Sequence, residues 1–209
     1  VTALKLDEVN PKKIAKQGVE EALSRIGGRS IPSGKYKAIL YNEAMVSLLG
    51  TFCGIFDADA AQKGLSLLKD KEGEIIASDV VTIVDDPLLD NGLSSTPFDD
   101  EGVATYKKEI VFKGELKTLL HNLKTAYKAG CKSTGNGFKS GVMSPVSISP
   151  TNLYIEKGER SLEELIKEVG EGILITDLAG LHSGANSITG DFSLAAKGFY
   201  IKDGKKSYP

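Results

Sequence analysis

Tryptophan is absent, and histidine and cysteine occur twice each, at His121, His182, Cys53 and Cys131. Two isolated cysteines cannot make a disulfide framework, so reduced thiols in a cytosolic compartment are expected. A zinc site needs at least three soft or borderline ligands, which this chain supplies only if its fold gathers those four scattered residues. Charge of neither sign is in excess: 26 Lys and Arg face 28 Asp and Glu, for a net charge of −2 and a pI of about 5.8. Tight binding to a phosphate backbone needs a clustered basic face, so direct nucleic-acid recognition is disfavoured. No apolar run reaches membrane-spanning length, and no signal peptide is recognisable. A Walker loop is missing, and GNGFKSG at Gly135 to Gly141 lacks the spacing of a dinucleotide fingerprint.

What is present suits a globular chain of 209 residues, 41% hydrophobic and 26% charged, able to bury a core in one large domain or two small ones. Its 23 glycines fall between periodic segments and predict many tight turns. Asn10 and Pro11 open a helix as N-cap and N1, with Ile14, Ala15, Gly18, Val19, Ala22, Leu23 and Ile26 on one face and Gly27 as its stop. A strand is expected over Tyr36 to Tyr41. Asn42 then caps a second helix whose Ala44, Met45, Leu48, Leu49, Phe52 and Phe56 recur at core spacing. A third helical stretch runs from about Ala58 to Leu68, and a strand lies within Ile75 to Val84. Later segments read as strands, with hairpin turns at Lys113-Gly114-Glu115 and Asp203-Gly204. Ser161 and Glu164 form a capping box for a helix ending at Gly170, and Lys132 to Pro150 reads as a loop or lid. The fold class is α+β, a mixed and largely antiparallel sheet domain with helices mainly in the N-terminal third.

Val81 to Gly102, VTIVDDPLLDNGLSSTPFDDEG, is the most unusual stretch. A short apolar run delivers Asp85 and Asp86 to a loop, and Asp99, Asp100 and Glu101 follow as a second acidic cluster. Buried, unpaired carboxylates cost several kcal/mol, on the order given by transfer data, so this segment is expected at a surface, in a cleft or against a partner. A hard cation is an alternative occupant, although the spacing matches no EF-hand. His121, among Leu119, Leu120 and Leu123, reads as a packed or partly exposed structural residue rather than a ligand. His182 sits in GLHSGANSITGDFS beside Ser183 and Asp191, but neighbouring Ser and His side chains seldom face each other as a hydrolytic triad requires.

Several blocks in one order resemble the TldD/PmbA family, also labelled modulator of DNA gyrase, and within it the PmbA/TldE branch. They are KGLSLL (Lys63 to Leu68), GEIIASDVVTIVDDPLLDNGLSSTPFDDEG (Gly73 to Gly102), KSTGNG (Lys132 to Gly137), PTNLYIEKG (Pro150 to Gly158) and LHSGANSITGDFS (Leu181 to Ser193). The resemblance implies a two-domain cytoplasmic protein. Residues 1–30 would be a linking helix from a missing N-terminal domain, and 31–209 a C-terminal domain incomplete at its end.

The family's TldD branch is implied to be a zinc metallopeptidase that pairs with a PmbA/TldE subunit and trims unfolded or leader-bearing peptides in proteolysis and peptide maturation. Its motif is H-E-x-x-x-H on a helix after a strand. The matching positions here are Asn42, Glu43 and Ser47, so Glu43 is kept and both histidines are lost. An amide and a hydroxyl are poor ligands for Zn²⁺, and one carboxylate cannot hold a catalytic metal alone. The expectation is therefore a non-catalytic subunit without a metal of its own, zinc residing in a TldD-like partner, with homodimerisation as the alternative assembly. Cleft or peptide-binding candidates are Asp85, Asp86, Asp99, Asp100, Glu101, Ser133, Asn136 and Ser183, with His182 a catalytic candidate. The competing functions are an independent hydrolase using Glu43 or His182 and a non-enzymatic peptide-binding module.

Overall fold

The computed structural model describes residues 4, 5, 7 and 9–209; part of the expected 1–30 linking segment lies outside them. The chain forms two compact units, one of residues up to Leu48 with Glu159–Leu181 and Leu194–Pro209, the other of Leu49–Gly158 with His182–Ser193.

The first unit opens with α1 (Pro11–Ser24). Asn10 caps it by accepting from Lys13 N, and Pro11 occupies the first turn, where no partner for its nitrogen is needed. Its C-cap is Arg25, two residues before the expected stop at Gly27. No α1 side chain is fully buried. The sheet runs in the order β1 (Ala38–Leu40), β8 (Gly172–Ala179), β9 (Ala195–Lys202), β10 (Lys205–Lys206). β1 pairs in parallel with β8, while β8, β9 and β10 are antiparallel neighbours. The β9–β10 turn carries positive φ at both Asp203 and Gly204, the geometry that matches strand twist in two-residue hairpins. Gly198 is required by contact: a Cβ there would lie 1.8 Å from the Leu174 carbonyl oxygen. Helix α5 (Leu162–Val169) has both halves of the Ser161/Glu164 capping box and ends at Gly170. Its Ile166 packs with Leu174 and Ile201, to which Ile39, Leu162, Val169 and Phe199 add a partly buried shell. Removing such aliphatic side chains from water contributes roughly 1.5–3 kcal/mol each.

Helix α2 (Asn42–Phe52) begins one residue earlier than the expected capping pattern. Tyr41 supplies the carbonyl that accepts from Met45 N, so Asn42 is the first helical residue rather than the N-cap.

The second unit is built on an antiparallel sheet ordered β4 (Glu115–Leu116), β3 (Lys108–Phe112), β2 (Ile83–Asp85), β7 (Leu153–Ile155). Phe56, Ala58, Ile110, Val111, Leu116 and Leu120 are at most 2% exposed and form its core. The β3–β4 turn uses positive φ at Lys113 and Gly114, as the sequence predicts. Helix α3 spans only Ala58–Gln62; Lys63 is its C-cap and Gly64 turns left-handed, so the expected helix to Leu68 stops early. Of the expected Ile75 to Val84 strand, only Ile83 onward joins the ladder, with Ile75 in an isolated bridge to Glu115. Helix α4 (Leu123–Ala129) is capped by Asn122 and Thr125 and closed by Gly130. The supposed loop from Lys132 to Pro150 contains a hairpin of β5 (Gly137–Phe138) and β6 (Ser147–Ile148), missed because its strands are two residues long. A short helix α6 (Leu181–Gly184) carries His182.

Candidate functional site

Three carboxylates of the acidic stretch depart from the expectation of a surface, cleft or partner-facing segment, although Asp90, Asp100 and most of the loop between them are exposed. Asp85, Asp86 and Asp99 are 0%, 8% and 2% exposed. Burial is tolerated because each carboxylate accepts hydrogen bonds, so the desolvation cost that pushed the sequence reading outward is offset in place. Asp85 stands at the end of β2. Thr151 donates to its Oδ1 through both backbone N–H and hydroxyl, at 2.7 Å each. Its Oδ2 accepts from Asn136 Nδ2 at 2.9 Å and Lys108 Nζ at 3.2 Å. Lys108 Nζ also donates to Asn136 Oδ1 at 3.2 Å, and Thr134 Oγ1 reaches that oxygen at 2.7 Å. Burial depresses the Lys108 pKa, against the opposing pull of Asp85, Asp86 and Asp99.

The second acidic cluster ties backbone together. Asp99 accepts from Glu101 N and Val103 N on one oxygen and from Gly137 N, at 2.9 Å, on the other. Asp100 Oδ2 accepts from Lys139 N at 2.7 Å, and Glu101 Oε2 accepts from Leu123 N, the first amide of α4, at 2.7 Å. Asp86 closes a local turn by accepting from Leu88 N, with Lys107 at 3.9 Å. Each of these carboxylates finds backbone N–H donors in place of water. Of the predicted residues, the structure thus gathers Asp85 with Asn136, and Asp99, Asp100 and Glu101 around the segment that contains Ser133 and Asn136. Ser133 donates to the His121 carbonyl at 3.1 Å.

His121 is 3% exposed, its Nδ1 3.2 Å from Thr125 Oγ1, and burial pushes its imidazole below the usual value. His182 and Ser183 are exposed on α6. Asn42, Glu43 and Ser47 are exposed on α2, where Ser47 Oγ donates to the Glu43 carbonyl at 3.0 Å. The residues that sequence reasoning missed are Lys108, Thr134 and Thr151. A signal existed for Lys108, which shares strand parity with the buried Ile110 and therefore points inward. The threonines carry no comparable local mark.

The two units define an α+β protein in which a polar knot of carboxylates, amides and one lysine organises an antiparallel sheet. Residues 33–209 match the family described as PmbA/TldA metallopeptidase C-terminal domain, and the chain belongs to that family. It is 34% identical to "Metalloprotease PmbA" of Escherichia coli O157:H7, over 97% of this chain and 42% of that protein. A crystal structure from Thermotoga maritima, described as a candidate modulator of a DNA gyrase, superposes with a TM-score of 0.93 at 47% identity, covering 99% of this chain and 47% of that one. TldE from Thermococcus kodakarensis superposes with a TM-score of 0.74 at 28% identity, covering 93% and 44%. The chain therefore spans less than half the length of these relatives.

The family description implies a metal. Among the described residues no group of three or more His, Cys, Asp or Glu side chains is placed to hold one. Asn42 and Ser47 offer an amide and a hydroxyl beside Glu43, a donor set that does not fit Zn²⁺. No helix among the described residues is long and apolar enough to cross a membrane.

Proposed function

We propose that this chain is the PmbA/TldE-like, metal-free subunit of a two-subunit peptidase system in the cytoplasm, acting with a TldD-like subunit that carries H-E-x-x-x-H. One feature supports it above the others: at the α2 positions that the family resemblance matches to two histidines stand Asn42 and Ser47, both exposed, and only the carboxylate of Glu43 remains. A general base without a metal-bound water has nothing to activate. The chain's contribution would then be to shape the peptide path. The outer edge of the three-residue strand β1 suits main-chain pairing with an extended peptide, a sequence-tolerant mode of capture.

The test is to assay unfolded and leader-bearing peptides with the full-length protein alone, the H-E-x-x-x-H subunit alone, and both. Cleavage that appears or rises sharply only in the mixture is expected. Tight binding of one zinc per chain by the isolated protein would overturn the assignment. So would cleavage by the isolated protein that His182→Ala abolishes, which would favour an independent hydrolase.

A further inference from the structure

The sheet of the first unit is covered differently on its two faces. Side chains alternate along β8 and β9, so Leu174, Phe199 and Ile201 pack toward Ile166 of α5, while Ile173, Ile175 and Tyr200 point the other way. On that second face the register sets Ile175 opposite Gly198, which adds no side chain. A cavity of about 380 Å³ lies there, walled by Ile173, Ile175 and Tyr200, by Arg25 and residues 28–31 after α1, and by Tyr208. The Tyr200 hydroxyl is already engaged, donating to Glu171, and its ring stacks on Tyr208 with centroids 5.3 Å apart. Apolar walls with a few convergent polar groups, at this volume, are the usual make-up of a small-molecule site.

The charged side chains lining the cavity are all cationic: Arg25, Arg29 and Lys197. Two of them are answered. Arg25 pairs with Glu21 and lies 3.6 Å from Asp177, and Lys197 lies 4.0 Å from the same Asp177. Arg29 differs. Among the described residues no carboxylate lies within salt-bridge distance of it and no hydrogen bond engages its side chain. Its guanidinium stands over the Tyr208 ring, 3.8 Å from the centroid, and its backbone N–H donates to the Pro209 carbonyl at 3.1 Å. A guanidinium held by its face keeps its N–H edge for a ligand, and that edge pairs with a carboxylate through two hydrogen bonds.

We infer that this cavity binds a small monocarboxylate with an apolar body, the carboxylate on Arg29 and the apolar part against Ile173 and Ile175. One unanswered cation matches one negative charge, whereas a phosphate dianion would leave a charge unmatched among apolar walls. Two sources share this chemistry: a free acid, and the C-terminal residue of a peptide. The inference goes beyond the two-subunit reading and does not depend on it.

Calorimetric titration of the full-length protein tests it with N-acetylphenylalanine, its amide, N-acetylglycine, and a hexapeptide ending in free phenylalanine. N-acetylphenylalanine is expected to bind. The amide, which lacks the charge, and N-acetylglycine, which lacks the apolar body, should each bind at least about tenfold more weakly. Arg29 is exposed, so Arg29→Gln should match wild type in far-UV circular dichroism and weaken the binding of either carboxylate ligand at least about tenfold. Hexapeptide binding as tight as that of N-acetylphenylalanine supports the site and assigns it to peptide C-termini; binding of the small acid alone supports it and assigns it to free acids. No binding of either carboxylate to wild type overturns the inference. So does an amide or N-acetylglycine that binds within twofold of N-acetylphenylalanine, or a folded Arg29→Gln protein that binds within twofold of wild type.

Discussion

Replacing Lys108 by methionine isolates the buried ion pair, because a flexible apolar chain keeps much of the lysine stem's volume while deleting its charge. Asp85 would retain three donors, two from Thr151 and one from Asn136, but would lose the cation at 3.2 Å while remaining fully buried. Removing one partner of a buried pair costs about 3–5 kcal/mol, and the surviving donors place this case near 3 kcal/mol. Asp85→Asn should cost a similar ~3 kcal/mol, because its new amide would face Asn136 Nδ2 and Lys108 Nζ, donors against donors. The double variant should lose far less than the sum, with a coupling of about 2 kcal/mol, since each change has already removed the other's partner. Without a tryptophan reporter, urea unfolding at neutral pH is best followed by far-UV circular dichroism. A loss below about 1 kcal/mol for Lys108→Met, or single losses that simply add, would show that the pair is not what holds Asp85 in place.

Two further outcomes are expected. Burial, opposed by Glu72, Thr125 and Asp57, sets the folded pKa of His121 below its ordinary 6.5. Above that value the ring is neutral in both states; below it the unfolded chain takes up a proton that the folded chain refuses, so stability should fall as pH drops until the lower folded pKa is reached. Denaturation across mildly acidic pH, together with NMR titration of the His121 ring, checks this, and a midpoint above 6.5 would contradict it. Gly114→Ala should be far more damaging than Gly204→Ala, although both occupy the second position of matching turns. At Gly114 a Cβ would meet the Ala77 carbonyl oxygen at 2.3 Å, whereas the nearest atom at Gly204 is Lys167 Cα at 3.2 Å. The left-handed backbone alone costs about 1–2 kcal/mol, which is the expectation for Gly204→Ala, while the clash should take Gly114→Ala beyond about 3 kcal/mol. Equal shifts in melting temperature would refute the distinction.

Features governed by nearest neighbours along the chain were legible from sequence. Asn10-Pro11 opens α1 and the Ser161/Glu164 box opens α5 because the cap and the amides it satisfies lie within four residues. Lys113-Gly114 and Asp203-Gly204 make their turns because positive φ is a local property. The same locality explains the errors at the edges of elements. Asn42 has the chemistry of a cap, yet the helix begins at it, and Ala58 to Leu68 has helical composition, yet Gly64 ends the helical run.

The carboxylates show where sequence stops and tertiary structure takes over. Sequence alone set Asp85, Asp86, Asp99, Asp100 and Glu101 apart, and family likeness marked the block that contains them; that likeness also implied that Asn42 and Ser47 stand where histidines would. It could not show that Asp85 would be buried. The donors that make burial tolerable, Lys108, Asn136 and Thr151, lie 23, 51 and 66 residues away. A carboxylate's environment is set by which strands pair and in what register, and no local pattern records that Asp85 will stand opposite Lys108 on β3 and Leu153 on β7.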